Sequence, residues 1–211
     1  MNLQSDLQKG LLALGQEYSP VQQEKMLAYL QLLEKWNQHF NLTSIRDPDQ
    51  MLPLHLLDSL SIAGFIHGKT LLAVGTGAGL PGIPLAICYP DIRVTLLDSN
   101  GKKIRFCRQA IMELGLTNVT AEQQRIEAIS GQVAFDQITT RAFTSLPNML
   151  KLLEPVMQAQ TELLAMKGQL PADEIEEIRK QGFEVEIQQL QVPFIEAERH
   201  LLIIRNTQKV R

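Results

Sequence analysis

Gly75, Gly77 and Gly79 stand at alternate positions directly after the apolar run Leu71–Val74, and Gly82 follows three residues later. Glycines at this spacing strip side chains from a strand-to-helix turn, so backbone N–H groups can come close to a bound nucleotide. Two registers are open. Gly77, Gly79 and Gly82 match the GxGxxG of dinucleotide enzymes, whereas Gly75, Gly77 and Gly79 match the GxGxG of methyl-donor enzymes. The second is favoured because Gly75 follows the apolar run without a gap; a tight turn holding no ligand is the plain alternative. Asp98 ends the next apolar run, "RVTLLD", where a carboxylate can accept hydrogen bonds from both ribose hydroxyls of an adenosine. It serves either nucleotide reading. Asp98 or Ser99 could equally cap the helix that begins near Lys102, and the two roles are compatible.

Cations gather near the same edge. The segment "GKKIRFCRQAIMELGL" carries Lys102, Lys103, Arg105 and Arg108, and Arg125, Arg141 and Lys167 follow later strand candidates, with Arg199 and His200 entering the last one. Such a run is ordinarily a solvated helix face, but it also suits phosphate contact. Because successive parallel strands end on one rim, several of these side chains can converge on one surface. No metal is expected, since His39, His55, His67 and His200 lack ligand spacing. Cys88 and Cys107 have no CxxC partner and read as inert core thiols.

The elements that must position these residues fall into two regimes, divided near residue 68. Before it, "VQQEKMLAYLQLLEKWNQHFNL" repeats Met26, Leu27, Leu30, Leu33 and Trp36 or Asn37 at helical spacing. "DPDQMLPLHLLDSLSIAGFI" continues the pattern, with Asp47 or Asp49 as a cap and Pro53 deep enough to kink the helix. After it, "TLLAV", "RVTLLD", "VTAEQ", "FDQITT", "TELLAMK", "FEVEIQQLQV" and "RHLLIIR" are strand candidates, with helices expected between the first six. Too few residues separate the last two for a crossover, so they should pair antiparallel. The pattern predicts an α/β fold, a doubly wound and mostly parallel sheet. Residues 1–67 are expected to form a helical extension and 68–211 the ligand-binding domain.

The chain has 211 residues, 45% of them hydrophobic, enough for one domain with an appendage. Its net charge of −3, from 20 basic and 23 acidic side chains, announces no polyanion partner, so a nucleic-acid role needs a local patch. Neither a secretory signal nor an apolar run long enough to span a membrane is found, and a soluble, cytoplasmic monomer is expected.

Taken in order, "KWNQHFNLTSIRDPDQM", "HLLDSL", "VGTGAGLPGIPLAI", "LLDSNGKKIRF", "TTRAF", "MKGQ" and "ERHLLII" resemble the ribosomal RNA small subunit methyltransferase G family, also called glucose-inhibited division protein B. The resemblance covers nearly the whole chain. It implies a Rossmann-like class I methyltransferase: a seven-stranded, mostly parallel sheet with an antiparallel last strand behind an N-terminal helical unit. It also implies methyl transfer from S-adenosylmethionine to N7 of a guanine in the 530 loop (rRNA position 527) of 16S ribosomal RNA. By position, it implies cofactor contacts at Gly75, Gly77, Leu80, Asp98, Ile126, Glu127 and Arg141. RNA contact is implied at Arg125, Lys167 and Arg199, joining Lys102 and Lys103 from the cationic helix. Guanine N7 carries a lone pair and no proton, so no general base is required; no residue is assigned as catalytic beyond a candidate role for Arg141.

Ala73 departs from the family pattern, in which an aspartate usually precedes "VGTG". Loss of a charge-assisted bond to the cofactor would weaken binding roughly 10- to 150-fold. Two further readings stay open: a non-catalytic or weakened RNA-binding homologue, and a nicotinamide-dependent oxidoreductase using the Gly77 register.

Overall fold

The computed structural model describes residues 2–129, 134–141 and 144–207. Ala142 and Phe143 of the "TTRAF" segment lie outside them. Seven strands form one sheet in the order β3-β2-β1-β4-β5-β7-β6: β1 (Thr70–Val74), β2 (Arg93–Asp98), β3 (Val119–Gln123), β4 (Gln137–Arg141), β5 (Glu162–Lys167), β6 (Phe183–Leu190) and β7 (Arg199–Asn206). β7 runs antiparallel between β5 and β6; the pairings among β1 to β5 are all parallel. The expected terminal pair exists, with Phe183 opposite Asn206 and Leu190 opposite Arg199.

β1, β5 and β7 contain unbroken apolar runs because both faces of the sheet are covered, whereas the middle strand β4 buries Gln137, Thr139 and Thr140. Alternate residues serve alternate faces. Leu71, Ala73, Leu96, Leu164 and Ile203 belong to one core, and Leu72, Val74, Leu97, Leu163 and Ile204 to the other. The first core is closed by α1 (Leu3–Ala13) and α2 (Pro20–Phe40), then α5 (Gly82–Cys88) and α6 (Gly101–Glu113). The second is closed by α7 (Leu146–Leu153) and α8 (Ala172–Lys180). Thus the helices before residue 68 share a core with the sheet. Among the described residues, no helix is long and apolar enough to cross a membrane.

α2 begins as its sequence dictates. Ser19 and Gln22 form a reciprocal capping box and Pro20 takes the first helical position. Its buried stripe is Met26, Tyr29, Leu30, Leu33 and Asn37. The next helical segment starts at α3 (Pro48–Met51), where Asp47 is the cap, passes through a π-helical stretch, Leu52–Leu57, and resumes as α4 (Asp58–Leu60). Pro53 lies inside that π stretch; a residue that cannot donate a backbone hydrogen bond interrupts the regular ladder there.

Two expectations need correction. A helix was expected between every pair of the first six strands, yet the described residues between β3 and β4 hold only a 3₁₀ turn, Ile126–Ala128. Nor does Asp98 or Ser99 cap α6. Asn100 does, accepting from the Lys102 N–H at 3.0 Å, which leaves Asp98 free for another task.

Gly82, the first residue of α5, packs against β1 and β2. A Cβ built there would stand 2.3 Å from Leu96 Cδ2 and 3.1 Å from Ala73 Cβ, and both of those residues are fully buried. Its absence of a side chain therefore sets the closeness of helix to sheet. We expect Gly82→Ala to lose about 1–3 kcal/mol in urea unfolding through overpacking. An unchanged midpoint would show that α5 shifts freely, contrary to this packing.

Candidate active site

The loop after β1 is fixed from three directions. Gly75, Gly77 and Gly79 all adopt positive φ, at 62°, 60° and 87°, the left-handed region that favours glycine. Above them Asp98, at the end of β2, accepts the Gly77 N–H through Oδ2 at 2.9 Å and the Asn100 N–H through Oδ1 at 2.8 Å. The Thr76 N–H donates to the Leu97 carbonyl at 3.1 Å. From below, the Tyr29 hydroxyl donates to the Ala78 carbonyl at 2.8 Å, tying α2 to the loop.

Beside this loop lies a crevice of ≈ 430 Å³ whose wall includes Gly75, Asp98, Lys103, Arg125, Ile126 and Glu127. That size suits a small organic ligand. Leu97, Ile126 and Leu152 give it apolar surface, and Asp98 gives it hydrogen-bond acceptors. Gly77 and Leu80 do not line it. Gly77 holds the loop through Asp98, and Leu80 is buried behind. Lys103 and Arg125, read from the sequence as RNA-facing, stand in this wall, while Lys102 faces a separate depression with Arg105 and Arg108. Ala73 is fully buried toward the helical core and is not part of the crevice wall.

A second cavity, of ≈ 450 Å³, opens where β4, β5 and β7 meet the π-helical stretch. Arg141, Lys167 and Arg199 line it, along with His55, Asp58 and Met166. Asp58, almost wholly buried, accepts from Arg141 Nη1 at 3.1 Å through Oδ2 and from Arg199 Nε at 2.9 Å through Oδ1. Arg141 Nη1 also donates to the Leu54 carbonyl at 2.9 Å. Lys167 Nζ donates to the Thr144 carbonyl at 3.0 Å, and His200 Nδ1 lies 2.7 Å from the Gly168 carbonyl oxygen. Thus the structure gathers Arg141, Lys167 and Arg199 together, away from the nucleotide-sized crevice. Val74 pairs with Thr140, so the next residues, Gly75 of the crevice wall and Arg141 of the cavity wall, leave neighbouring strands side by side.

Asp58 and His55 carried no role in the sequence reading. The available signal was their spacing, two polar residues three apart in an otherwise apolar helical run, which puts both on one face. The thiols are chemically quiet, since burial pushes both Cys88 and Cys107 up to about 12.

The chain matches the family model for rRNA small subunit methyltransferase G over residues 22–202. The chain belongs to this family. As a methyltransferase G family member it is similar to the Ribosomal RNA small subunit methyltransferase G of Alteromonas mediterranea, 46% identical over 96% of each chain. The protein of the same name from Methylococcus capsulatus is 48% identical, covering 95% of this chain and 98% of its own. Among solved structures, a mutant of MtNAS in complex with S-adenosylmethionine shares the fold, with a TM-score of 0.55, 18% identity, and coverage of 88% of this chain and 72% of that one. The fold is that of class I methyltransferases, and the family favours neither the oxidoreductase nor the non-catalytic reading.

In this family member the second cavity has a built-in pH dependence. Burial, reinforced by the Arg141 guanidinium, lowers His55 from its ordinary 6.5 to about 4. The unfolded chain therefore takes up this proton first as pH falls. Neutral His55 contributes stability that is complete above 6.5 and is lost progressively down to about 4. Urea unfolding at pH 7.5 and 4.5 should show a larger loss for the native chain than for His55→Gln; equal losses would rule out this source.

Proposed function

We propose that this methyltransferase transfers the methyl group of S-adenosylmethionine to N7 of a guanine in the 530 loop of 16S ribosomal RNA. The observation that supports the reading is the pairing of β1 with β4, which ends Gly75 of a nucleotide-sized crevice and Arg141 of a cation-lined cavity on neighbouring strands. Family membership supports the reaction class and the RNA substrate.

The crevice residues fit the cofactor. Gly75 offers bare backbone, and Ile126 and Leu152 offer apolar surface for an adenine. Each oxygen of Asp98 keeps a lone pair after its loop bond, and these suit the ribose hydroxyls. Glu127 adds a carboxylate on the same wall. Bound there, S-adenosylmethionine supplies a methyl group already activated on a sulfonium. Because N7 has no proton to lose, the residues of the second cavity need only hold the acceptor base in line, which is catalysis by positioning. Arg141 and Arg199, locked to Asp58, give that cavity a fixed wall, and Lys167 adds charge for a phosphate. Lys102, with Arg105 and Arg108 on the neighbouring depression, suits the RNA backbone. Residues 1–67 serve on this reading as an extension that braces the loop and supplies Asp58.

The test incubates the protein with labelled methyl donor and undermethylated small subunits, then maps the modified base. Label at N7 of one guanine in the 530 loop is expected. Absence of label in 16S rRNA, or label elsewhere, would overturn the reading.

Ala73 bears on affinity in a different way from a missing ligand contact. Its Cβ faces the start of α5, so an acid there would act on backbone N–H groups of the loop and helix rather than on the cofactor. Ala73→Asp should tighten S-adenosylmethionine about 3- to 10-fold by calorimetry, less than a direct charge-assisted bond would give. A change below twofold would show that the loop is already fully ordered without it.

A further inference from the structure

The turn joining β6 to β7 holds a residue that the fold does not call for. Val192 to Ile195 form a four-residue turn closed by the Ile195 N–H donating to the Val192 carbonyl at 3.1 Å. Pro193 takes its second position and Phe194, at φ 67°, its third. That is the pattern of a type II turn, whose third position ordinarily takes glycine or asparagine because φ is positive. A bulky residue there is under steric strain.

Burial of the ring does little to repay that strain. Phe194 is 60% exposed, and among the described residues its ring meets no other aromatic ring. By contrast, the other phenylalanine exposed among the described residues, Phe40, meets the Trp36 ring with centroids 5.1 Å apart. The turn itself is firmly seated. Val192 is buried and Ile195 packs against the core, so the backbone aims the Phe194 ring outward from a rigid base. The strand ends that flank the turn, Leu190 and Arg199, both line the cation-lined cavity, which also holds Arg141 and Lys167. An exposed aromatic ring on a turn whose flanking strand ends line a cation-bearing cavity is a combination that suits unpaired RNA, with a base stacked on the ring and phosphates on the cations.

We propose that Phe194 is a stacking platform for an unpaired base of the RNA substrate that flanks the nucleotide held in the second cavity. The inference rests on the RNA-methyltransferase reading and adds a recognition element to it. A stacked neighbour fixes the path of the strand, so the acceptor base is presented in one orientation. The ring takes no part in the chemistry; it positions.

The strain makes the test two-sided. Phe194→Gly should leave the melting temperature unchanged or raised, because glycine relaxes the turn, while KM for RNA rises about 5- to 150-fold. At saturating RNA, kcat should stay near that of the native chain, and cofactor affinity should not move. Phe194→Trp should restore KM to the native value. Methylation is measured with undermethylated small subunits and with rRNA extracted from them. Native KM for Phe194→Gly on both substrates, with the native chain active, would overturn the platform and leave the methyltransferase reading standing. A rise on intact subunits alone would mean that Phe194 touches a ribosomal protein, which also overturns it. If the native chain itself labels no RNA, both ideas fall together.

Discussion

A single carboxylate, that of Asp98, joins the parts of the site that the chain supplies separately. One of its oxygens takes the N–H of Gly77 and the other that of Asn100, so the loop after β1, the end of β2 and the start of α6 become one rigid unit. Hydrogen bonds of a backbone N–H to a carboxylate contribute roughly 1.5–3 kcal/mol each when sheltered, enough to hold the loop glycines in their left-handed conformation. The position of this carboxylate follows from the parallel sheet. β1 and β2 pair in register from Thr70 with Arg93 to Val74 with Leu97, which brings Asp98 level with the first glycine of the loop. A one-residue slip would turn Asp98 to the other face and leave the loop without its anchor.

The second half of the site depends on a pairing of a different kind. Asp58 is buried, and a buried carboxylate without partners would be strongly destabilising. Arg141 and Arg199 supply those partners from β4 and β7, and the Leu54 carbonyl accepts the remaining capacity of Arg141 Nη1. The helical segment before the sheet is thereby fastened at the rim as well as through the core. Tyr29 makes a matching connection to the glycine loop. Each cavity thus leans on a residue from the first sixty, which explains in physical terms why a methyltransferase sheet would carry this extension.

Much of this was legible in the sequence because it is local. Apolar runs mark β1, β5 and β7, helical spacing marks α2, and the glycine spacing with Asp98 points to the loop beside the crevice. What was not legible is long-range. Asp58 and Arg199 lie 141 positions apart, and no periodicity links them. The family resemblance implies a cofactor contact for Arg141, while the partner that holds its side chain at the rim is Asp58. The cap of α6 was assigned to Asp98 or Ser99 because either type can cap; the tertiary demand of the Gly77 N–H claims Asp98, and Asn100 takes the cap. Ala73 stands out in the sequence by its missing charge, whereas in the fold it is buried beside Gly82 under α5, outside the crevice wall. The register question resolves into a division of labour. Gly75, Gly77 and Gly79 carry the loop conformation, and Gly82 serves helix-to-sheet packing.

The charge arrangement at the ends of β1 and β4 has a consequence for the proposed reaction. Methyl transfer moves a positive charge from a sulfonium on the crevice side to a purine on the cavity side. A bare guanidinium about 4 Å from the purine would oppose that arrival by roughly 4 kcal/mol at an effective dielectric constant of 20, close to a thousandfold in rate. Arg141 stands at the end of β4, and its ion pair with Asp58 lessens that repulsion. Asp58 also pairs with Arg199, so the wall keeps cations for phosphates while the field felt by the ring is reduced. The same carboxylate therefore fastens the helical segment and orients two arginines, and in the proposed reaction it also lowers an electrostatic obstacle. A neutral residue in place of Arg141 would remove its repulsion altogether, but it would leave Asp58 buried with fewer partners and the RNA with fewer cations. The paired arrangement satisfies both demands at once.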